Sequence, residues 1–181
     1  MNEEIEEEIE NYENNKDIQH LLDFIQKYLN NEEIIEEVLS ALYRVVLSIT
    51  TLDSLDLNNE YIVEVLTKCL KQYTDEPSIV EILFGIMRCF VKLNIDLQNR
   101  FCTIDLIENY IVLFNQYIES EEGVQEQGCL LIHALSMNNN NNIKFLNDKN
   151  IRIQLEQAKE LISNERNKKY PIQAMESLGL C

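Results

Sequence analysis

The chain has 181 residues, with 32 acidic against 15 basic side chains and a formal net charge of −17. That balance argues against nucleic acid or an anionic membrane surface as the main partner, because both repel a strongly acidic chain. With 45% apolar residues but only four glycines and two prolines, the sequence can build a core, yet it has too few chain-turning residues for a sandwich or barrel of many short strands.

Residues 1–16 form an acidic lead. Seven glutamates fall between Glu3 and Glu13, and no basic residue precedes Lys16. Its bland reading is a solvated, fraying segment. The four-residue spacing of Ile5 and Ile9 also allows an amphipathic turn that covers the first helices. The lead has no basic stretch of the kind that opens a signal peptide. Nowhere does the chain approach the roughly 18 to 20 consecutive apolar residues of a membrane span. Five cysteines, an odd number with no Cys-x-x-Cys pair, fit a reduced, cytoplasmic protein.

From Tyr12 onward apolar residues recur at helical spacing. Ile18, Leu21, Leu22, Ile25, Tyr28 and Leu29 make one stripe; after Asn30-Asn31-Glu32 a second runs from Ile34 to Val46. The pattern then repeats. Steps of 45, 44 and 44 residues carry Ile18 to Val63, Ile107 and Ile151. The same steps carry Leu21 to Leu66, Tyr110 and Gln154, the one polar member of these columns, and Ile25 to Leu70, Phe114 and Ala158. They also relate Tyr28, Tyr73, Tyr117 and Leu161, and likewise Tyr12, Leu57, Phe101 and Phe145. A second helix follows, with columns such as Leu39, Leu83, Gly128 and Ala174. Pro77 and Pro171 fall at the start of second helices, where a missing N–H is tolerated. Gly85 and Gly128 lie inside such helices, where each costs about 1 kcal/mol relative to alanine; close helix packing is the expected compensation. The period predicts four units, near 12–50, 51–94, 95–138 and 139–181, each a short leading helix and two longer ones. After the lead, residues 17–181 are expected to make a single domain.

A period in the 40s with this three-helix unit resembles the armadillo/HEAT family of α-solenoids. Asn142-Ile143-Lys144-Phe145-Leu146 looks like the family's first helix, and the stretch Val124 to Leu135 looks like its last; Pro171 to Leu178 repeats the latter pattern. The resemblance implies an all-α, right-handed solenoid of about four armadillo-like repeats. It also implies that the last helix of each unit lines a concave groove for extended peptides or partner proteins. Import-receptor members hold basic peptides with a ladder of Trp and Asn. Here the corresponding columns read Ala41, Gly85, Leu130, Glu176 and Val45, Cys89, Ala134, Leu180, and the chain contains no Trp, which sets that chemistry aside.

One column of the same helices is basic: Arg44, Arg88 and His133, with Gly179 in the last unit. Stacked helices about 8–10 Å apart would set these side chains in a row. Neither arginine has a carboxylate three or four residues away to pair with. A free basic row could grip carboxylates, phosphates or backbone carbonyls; the competing reading pairs each with glutamates of neighbouring helices. Cys129 and His133 lie four apart, but a zinc site needs three or four ligands and the other histidine is His20, while a nucleophilic cysteine needs an orienting third group. Cys129 is therefore expected in the core. The run Asn138 to Asn142 reads as polar surface filler, with a recognition strip as the alternative. The stretch Asp53 to Glu60 lacks the glycine and ligand spacing of a calcium loop. No phosphate-binding loop, nucleophile elbow or HExxH is present.

The expected function is a non-enzymatic, cofactor-free cytoplasmic scaffold that binds another protein or peptide on its concave face through Arg44, Arg88 and His133, with neither nucleic acid nor membrane as partner. The alternative is a structural or regulatory subunit that self-associates as a homo-oligomer, or docks, through its C-terminal end, where Leu178-Gly179-Leu180-Cys181 continues an apolar pattern with no polar cap.

Overall fold

The structure is a computed structural model that describes residues 3–49 and 58–181. Eleven helices and no strand occur among the described residues. The first unit comprises α1 (Glu3–Asn14), α2 (Ile18–Lys27) and α3 (Glu32–Ser48). The second contributes α4 (Asn59–Gln72) and α5 (Pro77–Leu93); its expected leading segment, with Leu57, lies outside the described residues. The third has α6 (Ile95–Phe101), α7 (Ile104–Gln116) and α8 (Glu122–Ser136). The fourth has α9 (Asn140–Asp148), α10 (Arg152–Leu161) and α11 (Lys169–Ser177).

Helix starts are set by a recurrent device. Asn31, Asn58, Asn94 and Asn139 cap α3, α4, α6 and α9, each side-chain oxygen accepting from a first-turn N–H, and Asp17 does the same for α2. Such caps satisfy donors that the helix leaves orphaned. Pro77 opens α5 at its first position, and Pro171 falls in the first turn of α11.

The periodic columns become the core. Ile18, Ile107 and Ile151 are buried, as are Leu21, Leu66, Tyr110 and Gln154, and Ile25, Leu70, Phe114 and Ala158. The polar member Gln154 donates through Nε2 to Asn115 Oδ1 at 3.3 Å. The third helices α3, α5, α8 and α11 pack successively against one another and form the spine. Gly85 lies under the Tyr43 ring, where an added methyl would sit 2.9 Å from it; a methyl at Gly128 would overlap the Phe114 ring. The two mid-helix glycines thus let neighbouring aromatic rings approach the backbone, which is the compensation the sequence led us to expect.

Successive units are also tied by polar bonds. Tyr73 donates its hydroxyl to the Leu29 carbonyl at 2.8 Å, and Tyr117, its equivalent in the next unit, donates to the Thr74 carbonyl at 2.6 Å. The fourth unit has exposed Leu161 in that column. Its tie is a carboxylate: Glu122 accepts from Ser163 Oγ at 2.7 Å and from the Asn164 N–H at 3.0 Å.

Two sequence expectations change. The acidic lead is helical, and Ile9 is buried against the first unit while Glu3, Glu4, Glu6, Glu7 and Glu10 are exposed. The asparagine run is neither filler nor a recognition strip along its whole length, because Asn139 and Asn142 are buried. Asn139 Nδ2 donates to Gln98 Oε1 at 2.9 Å and to Asn99 Oδ1 at 2.8 Å. Gln98 Nε2 donates to the carbonyls of Ala134 (2.7 Å) and Met137 (3.0 Å), and Asn142 Nδ2 donates to that of Leu135 at 2.9 Å. These carbonyls end α8 and have no acceptor role within the helix. The amides therefore close the end of α8 and fasten α6 and α9 to it.

Candidate functional site

The basic column lies on the spine helices, Arg44 on α3, Arg88 on α5 and His133 on α8, but its three members meet different surroundings. Arg44 is held by α1. Its Nε and Nη2 donate to the two carboxylate oxygens of Glu13 at 2.6 and 2.7 Å, and Glu37 lies 3.6 Å from Nη2. This two-pronged, charge-assisted geometry is the strong form of an arginine–carboxylate pair. The hydrogen bond from Arg44 holds the Glu13 carboxyl below its ordinary range.

Arg88 has no such partner among the described residues. Its Nη2 donates to the Tyr43 hydroxyl at 3.0 Å, and its Nε is buried without a hydrogen bond. One turn further along α5 stands Lys92, with no carboxylate in ion-pair range among the described residues. Burial and then the adjacent Arg88 charge push the Lys92 ammonium pKa below its ordinary value. His133, on the next spine helix, is half-buried with Nδ1 unpartnered. Burial and then Lys92 lower its pKa, against a smaller opposing contribution from a hydrogen bond to the Gln173 backbone. His133 thus favours its neutral form, so the fixed positive charge here belongs to Arg88 and Lys92.

These residues line a groove in two compartments that share Lys92. One, of about 220 Å³, is bounded by Leu47, Arg88 and Leu93. The other, of about 590 Å³, is bounded by Ile95, His133 and Met137, with Gln98 among its lining residues. Leu47, Ile95 and Met137 are 55%, 61% and 42% exposed. Large apolar side chains left in water beside convergent polar groups are the composition of a docking surface. Lys92 falls outside the basic column, four residues beyond Arg88 on α5, so the repeat register alone does not pick it out. Two cations four residues apart on an otherwise apolar helix, within so acidic a chain, were the available signal.

Cys129 is fully buried, and burial raises its thiol pKa, the reverse of what a nucleophilic cysteine needs. No cluster of three or more metal-ligating side chains occurs among the described residues. No helix among them is long and apolar enough to cross a membrane.

No family model matches the sequence, and no curated protein matches it. Among solved structures the chain is similar to a designed armadillo repeat protein, at 16% identity with a TM-score of 0.51, over 95% of this chain and 86% of that one. A likeness at that identity speaks for the fold, and it agrees with the three-helix period and the spine of third helices. The chain folds as an all-α, armadillo-like repeat solenoid.

Proposed function

We propose that this protein is a non-enzymatic scaffold that binds a partner protein or peptide on the face formed by α3, α5 and α8, the concave face in an armadillo arrangement. Arg88 and His133 contact the partner, and Arg44 marks the end of the site already occupied by α1. Armadillo-like folds generally serve protein binding. The observation that carries the reading for this chain is the open groove, in which Arg88 and Lys92 lack counter-charges among the described residues while Leu47, Ile95 and Met137 stand exposed beside them. A stable solvated surface has no need of either feature, whereas an interface uses arginine and large apolar side chains as its energetic centre.

The test is affinity capture from native lysate with the wild type, the Arg88→Glu/Lys92→Glu variant and a Lys68→Glu control. Lys68 pairs with Glu64 within α4, away from the groove. A discrete partner retained by wild type and control but lost by the double variant supports the reading. A partner retained by all three moves the binding site elsewhere.

A further inference from the structure

We propose that the groove running across α3, α5 and α8 takes an acidic segment of a partner protein, one that interleaves carboxylates with bulky apolar side chains. This rests on the reading above that the face binds protein, and it adds the chemistry of the occupant. Three observations point the same way.

The first is charge. The chain carries −17 overall, and other cations on its helices pair with carboxylates at Lys68–Glu64, Arg100–Asp96 and Arg152–Glu156. Arg88 and Lys92 are adjacent on one helix face and have none among the described residues. Two like charges at that spacing repel, so the pair raises the energy of the free protein and is relieved by an incoming anion. The second is donor geometry. Arg88 Nε carries a buried N–H with no partner among the described residues, and buried donors are ordinarily satisfied. The third is the neighbouring rung. At Arg44, the equivalent of Arg88 one unit earlier, the chain seats its own acidic amphipathic helix: Glu13 grips the guanidinium while Ile9 is buried beside it. Carboxylate on cation and aliphatic side chain on apolar wall is the chemistry this face already accepts. The groove repeats the offer with Arg88 and Lys92 as cations and Leu47, Ile95 and Met137 as apolar wall.

The bulk charge opposes an acidic partner at long range, so magnitudes decide. At an ionic strength of about 0.15 M the Debye length is about 8 Å. Glutamates elsewhere on the solenoid are then largely screened from the groove, whereas a carboxylate in contact with a half-buried guanidinium is screened far less. Local attraction wins once the segment is seated, and long-range repulsion slows its arrival at low salt.

The experiment is a fluorescence-anisotropy titration of the intact protein at physiological ionic strength with a labelled peptide of three Glu-Leu-Asp-Phe repeats. It is run beside peptides of equal length in which Gln and Asn, or Lys, replace the acids. The acidic peptide should bind at least about tenfold tighter than the amide peptide. That preference should vanish in Arg88→Glu/Lys92→Glu, and in the milder Arg88→Gln/Lys92→Gln should the charge reversal fail to fold, while persisting in Lys68→Glu. Equal affinity for the acidic and amide peptides overturns the inference, as does a preference that survives the double variant. If the acidic and amide peptides bind equally and both are released by Leu47→Asp/Met137→Asp, the face still docks protein and only the acidic class is wrong. If no peptide binds, the inference falls, and the lysate capture decides the broader reading separately.

Discussion

Arg44 and Arg88 hold the same position in consecutive units, yet one is paired with a carboxylate and the other, among the described residues, is not. Arg44 is gripped by Glu13 at both carboxylate oxygens and lies under α1; Arg88 meets a tyrosine hydroxyl and a lysine of its own sign. The helix that bears each arginine is alike in length and packing. What differs is the segment laid beside it. A repeat fold therefore supplies equivalent positions, and the covering element decides which of them stay available to a partner.

Five substitutions test that contrast, from the largest expected effect to the smallest. Gln98→Leu removes the amide that joins α6 to the end of α8, takes the Gln98 donor from the Ala134 and Met137 carbonyls and leaves Asn139 Nδ2 with one of its two acceptors. A loss of about 2–4 kcal/mol in urea unfolding is expected, because buried polar groups are stranded. Hydrogen exchange should loosen the groove floor around α6 and α8 and leave α1 as protected as before. Tyr43→Phe deletes the hydroxyl that accepts from Arg88 and is expected to cost about 1 kcal/mol; the ring over Gly85 stays in place. If Arg88 is otherwise unpartnered, this change should also raise affinity for an acidic peptide.

Arg44→Met and Arg88→Met should differ in sign. Without Arg44, Glu13 and Glu37 face each other uncompensated, and about 0.5–1 kcal/mol is expected to be lost, modest because Arg44 is half exposed. Without Arg88 a buried unpartnered nitrogen disappears, so stability should stay within about 0.5 kcal/mol or rise. Equal losses in thermal unfolding would erase the distinction between the two rungs. The smallest effect is the acid response of Glu13→Gln. Glu13 has a folded-state pKa below its ordinary value of 4.5, so its contribution is complete above that value and is lost as pH falls through the folded one. The variant should be slightly less stable at neutral pH and should show a shallower decline below about pH 4.5.

Most of the helical scaffold was legible because burial recurs once per unit, so a residue such as Phe114 is identified by its equivalents as well as by its neighbours. Even the polar Gln154 kept its place in a buried column. The site was less legible, for a reason of distance along the chain. Arg44 finds its carboxylate 31 residues upstream, beyond the three- and four-residue spacings by which a helix pairs its own charges. Asn139 and Asn142 were obscured by composition: a run of one polar residue type looks uniform, while the fold buries two of its members and exposes Asn138, Asn140 and Asn141. Only the partner, Gln98, a unit away, makes that choice.

The ties between units also set how the solenoid yields under load. Between the first three units the hydroxyls of Tyr73 and Tyr117 are neutral donors whose own ionisation is pushed above 10, mainly by burial, so these joints keep their rotation across the acidic and neutral range. The last joint includes a tie of another kind, through Glu122, whose carboxyl is held below its ordinary range by the Asn164 N–H and Ser163. Acid protonates that carboxylate and weakens this one tie, while the neutral Tyr73 and Tyr117 hydroxyl ties keep their donors.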